Sequence, residues 1–451
     1  GGDLFYLSSD GGDTINGGSG SDAIDASGLT HGVTVHLWNR VFGTGGYDND
    51  ITGIEIVYGT ASGDVFWSAN NINDTFYGGD GSDTFYIGNN GGDYRDGEGG
   101  ADWITAANRN GGVNINFSAN KSTNEDGDED TLHNIEHAIG SGFNDTITGD
   151  LNNNQLYGGA GDDQLLGGGG DDTLDGGGGS DTLTGGGGGD LFYLSSDGGD
   201  TINGGSGSDA IDASGLTHGV TVHLWNRVFG TGGYDNDITG IEIVYGTDFD
   251  DVFWSAININ DTFYGGEGSD TFYVGSNGGD YRDGGAGDDN DWITAANRNG
   301  GVNINFSANK STNEDGDEDT LHNIEHAIGS GFNDTITGDL NNNQLYGGAG
   351  DDQLLGGNGA DTLDGGSGND TMTGGAGLDS FVFDNAAGEG DDVIVDFNTT
   401  DDTISVSGEL IADLVASAAN DGNGDAVITH AGGAITLLGV DASQVIGSMF
   451  V

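Results

Sequence analysis

The chain has 451 residues, of which 94 are glycine and 75 are Asp or Glu, against only 8 Lys or Arg. The resulting formal charge of −67 argues against nucleic acids and anionic membranes as partners, because contact with phosphate requires a basic surface. Cysteine is absent, which excludes disulfides, thiolate zinc sites and thiol nucleophiles. No stretch approaches the roughly 18 apolar residues of a membrane-spanning helix, so we expect no membrane insertion.

Low apolar content combined with high charge is typical of disordered chains. This chain nevertheless carries 6 Trp, 14 Tyr and 19 Phe, which disordered chains usually lack. These aromatic side chains can be buried only if the acidic charge is neutralised. A hard cation held by carboxylates, such as calcium, is therefore expected.

Two long copies organise the sequence. Residues 2–60 recur letter for letter at 189–247, and residues 103–168 recur at 292–357. Internal repetition of this kind predicts a repetitive architecture.

We divide the chain into a first long unit (1–187), a second long unit (188–379) and a C-terminal region (380–451). The first residues match the interior of a smaller repeat, and no cleavable signal peptide is visible. We therefore expect that the parent protein has further sequence upstream.

Longer segments interrupt the small repeats at about 23–63 and 103–144, and again at 210–250 and 292–333. Each contains an alternating segment, GVTVHLW or GVNINFS, then an acidic turn and a GIE or NIE segment. Alternation predicts strands, and we interpret these excursions as wider turns of one repetitive fold.

The acidic turns include YDND at Tyr47 and NEDGDEDT at Asn124. They are candidate calcium loops or, equally, solvated acidic loops. The candidate ligands are Asp126, Asp128 and Asp130, with Asp315, Asp317 and Asp319 in the second copy.

A nine-residue period fills most of the remainder. Residues 158–193 read GGAGDDQLL, GGGGDDTLD, GGGGSDTLT and GGGGGDLFY, and residues 347–382 contain four similar repeats. Isolated copies at Gly17, Gly78, Gly204 and Gly265 bring the total to twelve strict matches to G-G-x-G-x-D-x-U-x, where U is a large apolar residue. The glycines permit positive φ and let carbonyl oxygens converge, while Asp adds a carboxylate. The x-U-x half predicts a three-residue strand whose middle side chain points inwards.

This pattern resembles the RTX, or haemolysin-type, calcium-binding family. The resemblance implies an all-β fold, a parallel β-roll (β-solenoid) of two sheets with an ion between turn i and turn i+2. It also implies structural calcium ions on the order of a dozen, about one per repeat. The paired ligands would be Asp163 with Asp181, Asp172 with Asp190, Asp352 with Asp370, and Asp361 with Asp379. The other expected calcium-contacting positions are Asp22, Asp83, Gly158, Ala160, Gly167, Gly169, Gly177, Gly179, Gly186, Gly188, Asp209, Asp270, Asp289, Gly347, Ala349, Gly356, Asn358, Gly366, Gly368, Gly375 and Gly377.

The Asp rhythm continues where glycines are missing. Asp64, Asp74, Asp83, Asp93 and Asp102 are spaced by 9 or 10 residues, and the second copy repeats this spacing. We expect weak ion binding or none in these degenerate turns.

The region from Ser380 changes composition. Its SFVFD, DDVIVDF, DTISVS, DAVITH and GAITLLGV segments predict strands, and ELIADLVASAA predicts a short helix. It resembles the C-terminal cap and type I secretion region of RTX proteins. A cap is also expected physically, because the last turn would otherwise leave an open sheet edge.

Three further patterns have simpler explanations. His133-Asn-Ile-Glu136-His137 matches a zinc-protease motif, H-x-x-E-H, but it lies in a strand-and-turn pattern, so we predict no zinc and no catalytic residues. The basic residues are interpreted as local partners for carboxylates. Outward-facing aromatics, such as Trp67 and Tyr86 one turn apart, are predicted to stack. We favour their burial beneath the excursions over an exposed surface for glycans or for other copies of the chain.

The sequence thus favours a secreted, calcium-dependent structural or adhesive rod, cell-surface or matrix material rather than an enzyme. The resemblance implies export through a type I secretion apparatus. The alternative is a folding and secretion module of an extracellular enzyme, such as a protease, lipase or polysaccharide epimerase, with its catalytic domain upstream.

Overall fold

The structure of the protein, a computed structural model, describes residues 1–7, 13–37, 41–44, 47–69, 72–88, 92–196, 198–224, 228–231, 234–256, 259–275, 278–287, 290–383 and 388–451. Regular structure in these ranges is almost entirely β-strand. None of the described helices combines the length and apolar character needed to cross a membrane. The chain forms two compact units, the first of residues 1–215 and 233–241, the second of residues 216–232 and 242–451. The division at residues 187 and 379 made from the sequence copies stays a prediction.

The strands are short throughout. Those of residues 1–187 are β1 (Leu4–Tyr6), β2 (Thr14–Asn16), β3 (Ala23–Asp25), β4 (Val33–His36), β5 (Val41–Thr44), β6 (Tyr47–Thr52), β7 (Ile56–Tyr58), β8 (Val65–Trp67), β9 (Thr75–Asp80), β10 (Thr84–Tyr86), β11 (Tyr94–Gly99), β12 (Trp103–Thr105), β13 (Asn114–Asn116), β14 (Lys121–Thr123), β15 (Glu129–His133), β16 (His137–Ile139), β17 (Thr146–Thr148), β18 (Gln155–Ala160), β19 (Gln164–Gly169), β20 (Thr173–Gly178) and β21 (Thr182–Gly187). Those of residues 188–379 are β22 (Leu191–Tyr193), β23 (Thr201–Ser206), β24 (Ala210–Asp212), β25 (Val220–His223), β26 (Val228–Thr231), β27 (Tyr234–Thr239), β28 (Ile243–Tyr245), β29 (Val252–Trp254), β30 (Thr262–Gly266), β31 (Thr271–Tyr273), β32 (Tyr281–Gly285), β33 (Trp292–Thr294), β34 (Asn303–Asn305), β35 (Lys310–Thr312), β36 (Glu318–His322), β37 (His326–Ile328), β38 (Thr335–Thr337), β39 (Gln344–Ala349), β40 (Gln353–Asn358), β41 (Thr362–Ser367) and β42 (Thr371–Ala376), with a 3₁₀ turn at Phe306–Ala308.

Each unit is a parallel β-roll in which successive strands join two sheets alternately. In the first unit β17, β19, β21 and β23 pair in parallel in one sheet. The strands between them, β18, β20, β22 and β24, pair in the other. In the second unit β37, β39, β41 and β43 form one such ladder, and β38, β40, β42 and β44 form another. The predicted fold class is confirmed.

The core lies between the two sheets and consists of the apolar residue of each nonapeptide. Leu156, Leu165, Leu174 and Leu183 are all buried. Leu165 pairs with Leu183 one turn later, and Leu156 pairs with Leu174 in the opposite sheet. The three-residue apolar pattern thus places one side chain per strand in a continuous core, as predicted.

Strict repeats such as those of β10 and β24 have the predicted three-residue strand, but in the consecutive repeats most strands are longer. Strands such as β19 and β20 span six residues, because the glycines that follow the apolar triplet also pair with the next turn. Gly168 pairs with Gly186 in this way. Glycine turns therefore stack as closely as the strands do, which leaves no room for side chains between them.

The excursions are wider turns within the sheets, as predicted. In the second excursion, β15 pairs in parallel with β11, continues antiparallel through β14 to β13, and β13 then pairs in parallel with β17. Strands β6, β5 and β4 of the first excursion connect β2 to β8 by the same arrangement. Each excursion therefore adds two strands to one sheet of the roll.

The C-terminal region continues the roll before closing it. Its elements are β43 (Ser380–Phe383), β44 (Gly390–Ile394), β45 (Thr403–Val406), α1 (Ile411–Ser417), β46 (Ala419–Asn420), β47 (Ala426–Thr429), β48 (Gly433–Leu437) and two 3₁₀ turns, Ala442–Gln444 and Gly447–Met449. The five predicted strands and the helix are confirmed. Strand β48 pairs with β44 and is followed outwards by antiparallel β47 and β46, while Phe450 bridges to Ile404 of β45.

We predict that deleting residues 380–451 raises the calcium concentration needed for folding and slows the folding step. The deletion exposes the edges of β41 and β42, which β43 and β44 otherwise cover. Stopped-flow fluorescence after addition of calcium, with the full chain as control, measures both effects. Unchanged midpoint and rate would show that this region does not act as a cap.

Candidate metal centres

A ladder of Asp side chains follows the turns of each roll. The Oδ1 atom of each Asp accepts a hydrogen bond from the backbone N–H of the Asp one turn earlier. The distances are 2.8 Å for Asp163 to Asp181, Asp172 to Asp190 and Asp352 to Asp370, and 3.0 Å for Asp361 to Asp379. The structure thus brings together all four Asp pairs proposed from the sequence.

The second carboxylate oxygen of the ladder is buried and accepts no hydrogen bond in many of these residues. Burying a charged oxygen without a partner is strongly unfavourable, so each such oxygen requires either a proton or a cation. Those with an unpartnered Oδ2 are Asp22, Asp83, Asp102, Asp163, Asp172, Asp190, Asp270, Asp352, Asp361, Asp370 and Asp379.

The pKa values of the ladder report the same missing counter-charge. Burial, opposed by one backbone hydrogen bond and reinforced by neighbouring carboxylates, raises the pKa of Asp163 and of Asp172 to about 7. The same causes raise the pKa of Asp83 and of Asp270 to about 8. Without a cation, a large fraction of these groups would be protonated at neutral pH.

The first glycine of each repeat lies directly against the unpartnered oxygen. A Cβ atom placed on Gly158 or Gly167 would collide with Oδ2 of Asp163 or Asp172 respectively. Gly168, the next residue, has φ near +115°, a conformation that favours glycine. The turn therefore keeps the carboxylate accessible to backbone oxygens rather than to side chains.

This chemistry fits calcium. The available donors are carboxylate and carbonyl oxygens, the hard ligands that calcium prefers. Within the described part of the chain, no three acidic or His side chains are grouped so as to hold a metal. An ion bound here would therefore take most of its ligands from the glycine-rich backbone, with Asp as the charged contribution.

The isolated repeats join the same ladder. Asp22, Asp83, Asp209 and Asp270 accept the N–H groups of Asp3, Asp64, Asp190 and Asp251 at 2.7–2.8 Å. Asp289 lies outside the described residues. Asp291 accepts the N–H of Asp270 in the second copy. The glycine and other backbone-carbonyl positions expected from the sequence to contact calcium lie in or beside β18–β21 and β39–β42, and their contact with an ion stays a prediction.

Glu residues of the excursions also belong to the ladder, and sequence analysis missed them. Glu55 and Glu136 accept the N–H groups of Asp22 and Asp102 through Oε2 at 3.0 Å, and Glu325 does so for Asp291. Their position in the sequence could have identified them, because each Glu immediately precedes a three-residue strand, just as Asp does in the nonapeptide.

The acidic turns of the excursions are arranged differently. Asp130 accepts the Asp93 N–H through Oδ1 and binds Arg95 through Oδ2, as Asp319 binds Arg282. The N–H groups of Asp126 and Asp128, like those of Asp315 and Asp317, are held by a preceding Asn side chain. Side chains of the YDND segment at Tyr47 lie outside the described residues.

The H-x-x-E-H segment is divided between the two sheets. His133 ends β15 and His137 begins β16, and Glu136 between them belongs to the Asp ladder. Burial lowers the pKa of His137, whose Nδ1 accepts the Gln155 N–H at 3.1 Å. The segment is therefore built into the roll rather than placed on a helix.

The outward aromatics stack along the roll, as predicted. The rings of Trp67 and Tyr86 lie 3.5 Å apart and nearly parallel, and His36 of the first excursion stacks on Trp67. Burial beneath the excursions is only partial, however. Trp67 and Tyr86 are half-buried, whereas Tyr6 and Tyr193 are exposed.

We predict that Asp172→Ala lowers both the calcium affinity and the stability of the chain, whereas Asp212→Ala changes neither. Asp172 accepts the buried N–H of Asn154, so its loss leaves a buried donor unsatisfied, at a cost of about 1–3 kcal/mol, and removes a ligand. Asp212 only accepts the N–H of Ser214 at the surface. Calcium titrations followed by calorimetry compare the two variants, and equal effects would contradict the ladder as the binding site.

The nonapeptide repeat of this chain also occurs in known proteins. The family model of the RTX calcium-binding nonapeptide repeat (4 copies) matches residues 8–28, 58–86, 139–174, 157–192, 194–215, 260–278, 328–363 and 346–381. No curated protein matches the chain. A similar solved structure is the AlgE6R3 subunit of the mannuronan C5-epimerase from Azotobacter vinelandii, with 29% identity over 28% of this chain and 80% of that chain and a TM-score of 0.24. Another is the extracellular lipase LipA from Serratia marcescens, with 18% identity over 80% of this chain and 45% of that chain and a TM-score of 0.24.

Proposed function

We propose, because this chain belongs to the RTX calcium-binding nonapeptide repeat family, that it is a calcium-folded structural module of a secreted protein. The observation that carries the proposal is the ladder of buried carboxylates whose second oxygen has no partner. Such a ladder is costly in the absence of a cation and becomes favourable when one is bound.

The protein's own residues align the turns and form the space for the ion. Oδ1 of each ladder Asp aligns one turn on the next through a backbone N–H, and glycine at the turn admits carbonyl oxygens. Calcium bound there supplies the positive charge that the acidic chain lacks. In a cytosol of low calcium the chain would stay unfolded and competent for export through a type I apparatus, and extracellular calcium would fold it.

Within this function we propose the role of an extracellular rod, adhesive or matrix-forming, in preference to catalysis. The proposal is supported by the stacking of successive turns in the same register, as in repeat proteins that present an extended surface. Tyr6 and Tyr193 offer exposed rings on its surface, suited to contact with a glycan or with another copy of the chain.

Fractionation of the producing cells tests the role, with mass spectrometry of the intact native polypeptide. The proposal expects the protein in the extracellular or cell-surface fraction, with further repeats making up any additional sequence. An upstream catalytic domain would instead assign the chain to the secretion module of an enzyme. Retention in the cytosol would contradict both.

A separate experiment tests our prediction that the H-x-x-E-H segments at His133 and His322 are not catalytic. We expect that no zinc is retained after dialysis and that no peptidase activity is found. Stoichiometric zinc that is lost in a His133→Ala, His322→Ala double variant would overturn this expectation.

A further inference from the structure

Two arginines are completely buried in the roll. Arg95 occupies the inward position of β11, where the neighbouring turn has Phe76, and its side chain is fully buried. Arg282 occupies the corresponding position of β32, beside Phe263. An apolar side chain is the normal occupant of this position in the repeat, so a guanidinium there requires buried partners of opposite charge.

Those partners are ladder carboxylates. Arg95 contacts Oδ2 of Asp93 at 2.7 Å and Oδ2 of Asp130 at 2.6 Å. It also donates to Ser68 Oγ at 3.0 Å. In the second copy, Arg282 contacts Oδ2 of Asp280 and of Asp319, both at 2.6 Å.

The Oδ1 atoms of these residues keep the ordinary ladder bonds. Asp93 accepts the N–H of Asp74 at 2.8 Å, and Asp130 accepts that of Asp93 at 2.9 Å. Within these carboxylates, the difference from the strict repeats therefore lies at Oδ2. That oxygen is unpartnered in Asp163 and Asp172 and ion-paired in Asp93 and Asp130.

In the turn before Asp93, a backbone oxygen that would otherwise be free to bind calcium is also bound by an arginine. Gly88 stands where the first glycine of a strict repeat stands, five residues before the ladder Asp. Its carbonyl oxygen accepts a hydrogen bond from Arg109 Nη1 at 2.7 Å. Arg109 is itself almost fully buried and paired with Glu125 at 2.7 Å. Both kinds of oxygen that a calcium ion would use, the glycine carbonyl and the Asp carboxylate, are thus already bound to guanidinium groups.

Since this rests on the proposed calcium-binding function, we infer that Arg95 and Arg282 are internal cations that replace calcium at these turns. The carboxylates of Asp93 and Asp130, and those of Asp280 and Asp319 in the second copy, then bind no calcium ion. The roll is a mixed structure, with metal-dependent turns at the strict repeats and metal-independent turns at the arginines. A fixed cation supplies only one unit of charge, but it cannot dissociate when calcium falls.

Counting bound calcium in paired variants tests the inference, with equilibrium dialysis of the full chain against calcium alone. Asp93→Asn with Asp280→Asn should leave the number of bound ions unchanged. The matched control, Asp172→Asn with Asp361→Asn, should lower it. If the control leaves the number unchanged, the proposed calcium function fails. If both pairs lower it equally, that function stands and the internal-cation inference is overturned.

Hydrogen exchange provides a second measurement, made first on the unmodified chain. As calcium is lowered, the amides of Asp74 and Asp93 should keep their protection to a lower calcium concentration than those of Asp163 and Asp172. Arg95→Met with Arg282→Met should remove this difference, with at least tenfold faster exchange in β11 and β15. The charge-matched control, Lys121→Met with Lys310→Met, removes exposed pairs and should not. A single calcium midpoint for all four amides in the unmodified chain would overturn the inference.

Discussion

Excess chelator is expected to convert the calcium-loaded protein into an expanded chain without a β-type circular dichroism spectrum. In the first unit alone, Asp83 has its pKa raised to about 8, and Asp102, Asp163 and Asp172 have theirs raised to about 7, from an ordinary 3.8. At pH 7 each shift corresponds to a cost of about 4 kcal/mol in the absence of a counter-charge. Four such penalties exceed the 5–15 kcal/mol by which a folded domain is typically stable.

Calcium added back in excess should restore the spectrum, whereas an equal concentration of magnesium should not. Magnesium demands a tight octahedral shell and retains its waters, while calcium accepts six to eight oxygens in irregular arrangements. Size-exclusion chromatography measures the expansion independently. A compact, β-rich chain in excess chelator would show that the ladder is stable without metal.

The repeat pattern was sufficient to predict the fold because a nonapeptide leaves little choice. Its period fixes which residue points inwards, as Leu165 and Leu174 do, and the same spacing fixes the Asp pairs. Strand length was underestimated in the consecutive repeats, such as β19, because the pairing of Gly168 with Gly186 depends on the next turn rather than on the local sequence. A local sequence pattern predicts the structure within one turn, whereas contacts between turns determine where each strand ends.

Contacts made by the excursions were the hardest to predict from the sequence. Arg95 was interpreted only as a local partner for carboxylates, which the structure confirms for it and for Arg109 and Lys121. Arg40 and Arg227 lie outside the described residues. Nothing in the sequence around Arg95 indicates that its second partner is Asp130, 35 residues away, because that contact depends on how the excursion folds back on β11. The strand pattern argued against the zinc motif that contains Glu136, but it did not indicate that Glu136 lies in register with Asp102.

Acidification is expected to restore part of the fold in the absence of calcium. Burial raises the folded-state pKa of Asp163 and Asp172 to about 7 and that of Asp83 and Asp270 to about 8, so folding takes up protons at these groups. Their contribution to stability is fully present below about pH 4 and is lost as the pH rises through 7 to 8. Each group then changes the stability by about 1.4 kcal/mol per pH unit between these limits. Protein freed of calcium by chelation and desalting should therefore gain β signal between pH 8 and pH 5.

A substitution separates this titration from a general effect of charge. Asn154 and Asn343 already occupy ladder positions and donate their N–H groups to Asp172 and Asp361, so Asn is compatible with the turn. Asp172→Asn keeps the acceptor oxygen and removes the titrating group, and should stabilise the calcium-free chain at pH 8 by about 4 kcal/mol. Asp212→Asn removes the same formal charge from the surface and should have an effect within about 0.5 kcal/mol. Loss of β signal on acidification, or equal effects of the two variants, would mean that the ladder carboxylates do not control the calcium-free state.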